Sequence, residues 1–245
     1  MNREITGVVV REQASGENGK LLYVLTKSEG VLLVNAKGAK KISASYLKSV
    51  QLFAYSKMLI YDKNGYLTLT EATLIESFYY IRKDILALAT ASYICDVASL
   101  CSIPSQDEGI LKLLLNTLYA LNNSLASYKK IKSVFEYELC IMIGFALEAS
   151  ECENCGKPAY LYSFIDNAFF CKDCREHISG SFICLNSFIL KALEYLNNCP
   201  LQKMLFFELD EDSMQVFHEF CEKYLIYNTD IKPKTLDFIN SLEEM

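Results

Sequence analysis

Three observations make this an α+β multidomain chain. Short runs of β-branched and aromatic residues fill the first 76 residues, apolar residues recur at three- and four-residue spacing beyond them, and two Cys-x2-Cys pairs interrupt the helical part. At 245 residues the chain is longer than one typical core. The expected architecture is an N-terminal OB-type β-barrel (1–76), an all-α helical domain (77–149 with 178–245) and an inserted four-cysteine segment (150–177).

The barrel rests on the runs "ITGVVVRE", "KLLYVLT", "GVLLVNA", "VQLFAYS", "KMLIYD" and "YLTLTEA". Five or six short strands in so few residues close most readily into a small barrel. Asn64-Gly65 predicts a tight hairpin, because that turn needs two residues with positive φ. "SGENG" is a looser connection.

From about Ser77 the period changes. Phe78, Ile81, Ile85, Leu88, Ala89, Ser92 and Tyr93 share one helical face, and Ile103-Pro104 ends the segment. Ser105 with Glu108 forms a capping box for a second helix. A third is expected over 128–148, and others near 186–198, near 212–227 and after Pro233. No internal repeat or low-complexity tract is present.

Cys152, Cys155, Cys171 and Cys174 follow Cys-x2-Cys-x15-Cys-x2-Cys, the spacing of a tetrahedral zinc site. Each pair sits on a tight turn, and Gly156 supplies the positive φ such turns often need. "AYLYSFIDNAFF" is long enough for two small strands that return the chain to the metal. Four thiolates close the coordination shell, so one structural zinc is expected, holding together a segment too small for its own core. His177 is close enough in sequence to replace a ligand and reads as a bystander. Cysteines 95, 101, 140, 184, 199 and 221 lack metal spacing and read as small buried residues. His218 and Cys221, one helical turn apart, read as packing residues.

The motifs of phosphate loops, serine nucleophile elbows and zinc proteases are absent from the sequence, and no residue set makes an enzyme. No run of about 18 apolar residues escapes a charge, so no membrane span is expected. "MNREITG" lacks the apolar core of a signal peptide, which predicts a cytoplasmic protein with reduced thiols.

The net charge of −6 is unevenly spread. Residues 1–83 hold 12 Lys+Arg against 7 Asp+Glu, and the remainder 12 against 23. A basic front end suits a polyanion. Arg3, Arg11, Lys20, Lys27, Lys37, Lys40, Lys41, Lys48 and Lys57 spread over its strands and turns, interleaved with Tyr23, Tyr46, Phe53, Tyr55, Tyr61 and Tyr66. Lysines for phosphates and aromatics for bases are what single strands require. DNA contacts are therefore expected from Arg11, Lys20, Lys27, Lys37, Lys40, Lys41 and Lys48. In the acidic body, Lys129, Lys130 and Lys132 of "YKKIK" form a basic island beside Ile131, Val134 and Phe135, suited to an acidic peptide with a hydrophobic end.

Taken in order, these stretches resemble the bacterial RecO family of recombination mediators. "GVVVREQASGENGKLLYVLTKSEGVLLVNAKGAKK" is similar to that family's opening strands, and "SFYYIRKDILALATASYICDV" to its first long helix. "FEYELCIMIGFALEASECENCG" is similar to the helix leading into its zinc segment, and "IKPKTLDFINSL" to its C-terminal signature. The resemblance spans nearly the whole chain. It implies a non-enzymatic, nucleoid-associated protein with an OB domain, a helical domain and a zinc-binding insertion. Such a protein binds single- and double-stranded DNA, anneals complementary strands and acts with RecR to load RecA onto DNA coated by single-strand-binding protein. By position, Lys37, Lys40 and Lys41 fall in the family's basic segment after the third strand, and the four cysteines fall on its metal ligands. The peptide expected at the lysine island becomes the C-terminal tail of single-strand-binding protein. The alternative reading is a zinc-stabilised protein-interaction module with little DNA affinity.

Overall fold

The computed structural model describes residues 1–37, 39, 46–102, 107–147 and 151–243. Five strands close a barrel in the order β1-β2-β3-β5-β4: β1 (Asn2–Ser15), β2 (Gly19–Thr26), β3 (Val31–Ala36), β4 (Tyr55–Lys63) and β5 (Tyr66–Glu76). The long β1 serves two neighbours, pairing with β4 through its first half and with β2 through its second. A bulge between Val9 and Arg11 bends the strand where it changes partner. A short parallel contact between β3 and β5, at Val34–Leu67 and Asn35–Thr68, completes the closure. Ile5, Val9, Leu22, Val24, Met58 and Ile60 point into the barrel and are buried.

The expected hairpin is present, with φ of 53° at Asn64 and 83° at Gly65. "VQLFAYS" is not a strand of its own. It contains the end of a 3-10 turn (Leu47–Val50), and then Phe53 takes a left-handed φ of 67°. The ring of Phe53 is buried, and its N–H donates to the Val9 carbonyl beside the bulge (2.8 Å). Anchoring the barrel at that point breaks the extended run, so β4 begins only at Tyr55.

The first helix also starts later than its periodicity predicts. Phe78 is left-handed (φ 46°), a 3-10 turn covers Tyr79–Lys83, and α1 (Ile85–Leu100) begins behind Asp84. The Asp84 carboxylate accepts the Ala87 N–H at 2.9 Å, an N-cap stronger than continued helical periodicity. α2 spans Asp107–Asn122. Ser105 lies outside the described residues, and the carboxylate of Glu108 pairs with Lys112 and Lys27. The C-terminal α6 (Leu236–Glu243) is preceded by Lys234 and Thr235, whose backbone N–H and hydroxyl both donate to Asp96 of α1.

The remaining elements are α3 (Tyr128–Met142), the small strands β6 (Leu161–Ser163), β7 (Ala168–Phe170) and β8 (Phe182–Cys184), α4 (Ser187–Asn198) and α5 (Glu211–Thr229). Ser127, Asn186 and Asp210 cap α3, α4 and α5 with their side chains. α3 is the central helix, buried on every side from Lys130 to Cys140.

Two compact units result: residues 1–125 with 231–245, and residues 126–230. This cuts the chain differently from the three-part division by element type. α1, α2 and α6 group with the barrel, and the cysteine segment groups with α3, α4 and α5. That segment also extends past residue 177, because β8 joins β6 and β7 in one sheet of order β7-β6-β8.

Candidate metal centre and nucleic-acid interface

Local backbone geometry builds the cysteine site. The Cys152 N–H donates to the Lys157 carbonyl and the Gly156 N–H to the Cys152 carbonyl, both at 2.8 Å, with Gly156 at φ 69°. Behind β7, the Cys174 N–H donates to the Cys171 carbonyl at the start of a 3-10 turn (Lys172–His177). These two turns bring the four sulfurs within 4.8 Å of one another. Cys155 Sγ and Cys171 Sγ are 3.6 Å apart, against about 3.8 Å for two corners of a zinc–thiolate tetrahedron with bonds of about 2.3 Å. Spacing and donor chemistry therefore both fit a tetrahedral, thiophilic cation. Three of the thiols are buried and Cys155 is exposed.

The surroundings favour thiolate unevenly. Burial opposes ionisation of Cys152, but N–H groups of Cys171, Cys155 and Asn154 outweigh it and bring its pKa down to about 6. Cys174 accepts a hydrogen bond from Asn154 Nδ2 at 3.2 Å, yet burial and the three neighbouring thiols push it up to about 12. Thiols this close ionise together only around a shared cation. His177 is half exposed and lies outside the cluster.

The sheet is not held by sulfur alone. Tyr162 of β6 is fully buried, with Phe164, Phe169, Phe220 and Tyr224 at centroid distances of 5.1–5.7 Å. These rings fasten the sheet to α5. The cysteine segment thus shares a core, contrary to the expectation that metal–thiolate bonds replace one.

On the barrel, register places Arg11, Tyr23 and Leu33 side by side across β1, β2 and β3. The Arg11 guanidinium lies 5.1 Å from the Tyr23 ring centroid. Both residues line a cleft of about 530 Å³ that also includes Glu12, Leu52, Asp96 and Lys234. Lys37 and Lys48 are exposed. Lys20 is half-buried and pairs with Glu12 at 2.7 Å, and Lys27 pairs with Glu108 at 3.4 Å. Lys40 and Lys41 lie outside the described residues. Among the aromatics, Phe53 is buried and Tyr23, Tyr46 and Tyr55 are half-buried. Tyr61 and Tyr66 are exposed around the β4–β5 turn, with Lys63 between them.

With this geometry in place, two family models account for most of the chain. Recombination protein O N terminal matches residues 1–78, and recombination protein O C terminal matches residues 82–237. The chain belongs to the recombination protein O family. Proteins named DNA repair protein RecO resemble it end to end. That of Acetivibrio thermocellus is 28% identical over 98% of this chain and 97% of the relative. That of Clostridium acetobutylicum is 25% identical over 97% of each, and that of Clostridium perfringens 28% identical over 98% of each.

In this RecO family member the lysine island does not form an exposed rim. Lys132 is completely buried, 2.9 Å from Glu136 and 2.6 Å from Glu222. Lys130 is 7% exposed, donates to the Phe207 carbonyl and lies over the Phe207 ring. Lys129 donates to Gln215 at 2.8 Å. Because α3 is enclosed on all sides, its three lysines reach partners on or just before α5.

His218 is buried, and its Nδ1 lies 2.9 Å from Ser133 Oγ. The Ser133 hydroxyl also bonds the Lys129 carbonyl (2.7 Å), so His218 is tied into the packing between α3 and α5. Burial raises the Cys221 thiol well above its ordinary range. Cysteines 95, 101 and 140 are buried as expected, whereas Cys184 is exposed. Among the described residues no helix is long and apolar enough to cross a membrane.

The Lys132–Glu136–Glu222 network, Asn154 and β8 escape sequence reading. The first left one trace, Lys132 and Glu136 four residues apart on α3.

Proposed function

We propose that this protein is a non-enzymatic mediator of DNA repair and recombination that carries DNA on the outer wall of its barrel. The observation that supports this best is the row of Arg11, Tyr23 and Leu33 across three strands, a cation and an aromatic face on an open cleft. Lys37, Lys48 and Lys63 add exposed charge, and Tyr61 and Tyr66 add exposed rings. Lys27 and Lys57 are paired with Glu108 and Glu4, but such exposed pairs contribute at most about 1 kcal/mol and yield to phosphate, whereas the half-buried Lys20 stays with Glu12. Family membership supports the wider role: annealing complementary single strands and, with RecR, loading RecA onto DNA covered by single-strand-binding protein. Partner docking then uses a surface other than Lys129, Lys130 and Lys132.

One structural zinc, held by Cys152, Cys155, Cys171 and Cys174, completes the reading, with its closed set of four sulfurs leaving no position for a reacting water. Strand annealing with and without single-strand-binding protein tests the function. Acceleration of both reactions supports it, and failure to bind or anneal bare oligonucleotides refutes it.

A further inference from the structure

Tyr79 and Tyr80 stand outward from the turn between the barrel and α1, 56% and 60% exposed. Buried anchors on either side hold them there. Phe78 and Ile81 are both buried, and the left-handed Phe78 turns the chain so that the two residues between the anchors face solvent. The Tyr80 N–H donates to Asn122 at the end of α2 (2.9 Å), and Arg82 is fixed on the Gln51 side chain and the Leu52 carbonyl. The rings meet edge to face, 5.9 Å apart.

Lys83 lies over both rings, its ammonium 5.2 Å and 4.9 Å from their centroids. Among the described residues no carboxylate pairs with it. Glu76 is committed to the backbone N–H groups of Ser77 and Phe78, and Asp84 caps α1. The patch is therefore aromatic and cationic together. It also continues the barrel wall: Arg82 binds Leu52, and Leu52 lines the cleft that holds Arg11 and Tyr23. Tyr79 and Tyr80 fall between the two segments matched by the family models.

We propose that Tyr79, Tyr80 and Lys83 form a base-stacking platform that receives a single strand as it leaves the barrel wall. The tyrosine rings stack on unpaired bases and Lys83 meets an adjacent phosphate. The platform rests on the DNA binding proposed above and adds selectivity to it. Paired bases in a duplex have no free faces to offer these rings, whereas phosphate contacts on the barrel wall accept either form.

The chain contains no tryptophan, so Tyr80→Trp introduces a single indole reporter. Its emission should be quenched by oligo-dT and not by a duplex of equal length. Tyr79→Ala with Tyr80→Ala should weaken oligo-dT binding by about tenfold, leave duplex binding unchanged and keep the salt slope. Tyr79→Phe with Tyr80→Phe should bind like the unaltered protein, which separates stacking from loss of folding. Lys83→Ala should flatten the salt slope by about 0.7. Equal affinity of the double alanine variant for oligo-dT overturns the platform and leaves barrel binding intact, as does equal weakening for duplex. If the unaltered protein binds no DNA, both proposals fall. If the double variant keeps its affinity but breaks up an oligomer seen in the unaltered protein, the rings face a second copy and the assignment is wrong.

Discussion

Glu138 sits on the enclosed helix α3, 4% exposed, and burial raises its carboxyl to about 7. A carboxyl whose folded pKa lies above its ordinary value stabilises the protein in its protonated form. That contribution is complete below about pH 4 and is lost as the pH rises through 7. Glu138→Gln should therefore change little at acidic pH and stabilise the fold at pH 8, by up to about 3 kcal/mol. Urea unfolding of both proteins at pH 5 and pH 8 checks this, and an equal difference at both values contradicts it. Six positions away, Lys132 shows the opposite balance. Burial pulls its ammonium down, but Glu136 and Glu222 more than reverse the effect and its pKa ends raised. Lys132→Met alone should cost about 3–5 kcal/mol, because it leaves two carboxylates facing each other in the core. Adding Glu136→Gln and Glu222→Gln should recover most of the loss in the same unfolding assay. Nothing near Lys132 in the sequence identifies Glu222, 90 residues away, as its partner. A charged island and a buried network look alike until α3 is placed beside α5.

Elements whose signals are local were legible. Asn64-Gly65 carries its own turn geometry, and the helices behind Asn186 and Asp210 carry their own caps. The cysteine knuckles were legible for the same reason, since two residues between ligands fix each turn. Elements decided by distant contacts were not. Phe53 leaves extended geometry to bury its ring, α1 starts at a cap instead of at the first periodic residue, and β8 is three residues long and exists only as a neighbour of β6. The metal site and its backing sheet should respond separately to change. Purified protein should carry one zinc per chain, and Cys171→Ala should hold almost none by metal analysis. Asn154→Ala should keep the full complement but release it to a chromogenic chelator about tenfold faster, through loss of the hydrogen bond to Cys174. Unchanged release would show that the bond does not steady the site. The Tyr162 cluster should keep β6 and β7 packed on α5 after the metal leaves, visible as retained near-ultraviolet tyrosine dichroism.

Across the chain, charge is unevenly divided. The excess of basic residues lies within 1–83, which supplies the barrel and the Tyr79–Lys83 turn, while the net acidic remainder includes the cysteine site and the enclosed α3. The two compact units do not follow that border, because α1 and α2 belong with the barrel. DNA binding through phosphates releases counterions, so affinity must fall as salt rises, and each lost contact must flatten that dependence. The most direct measurement is the affinity for oligo-dT across a salt series, in the unaltered protein and in variants with Arg11, Lys37 and Lys48 changed singly and together to Ala. The unaltered protein should show a steep negative slope, and each change should reduce it by about 0.7 without altering thermal stability. Binding that ignores salt, or a triple variant with the original affinity and slope, would contradict DNA binding by the barrel wall.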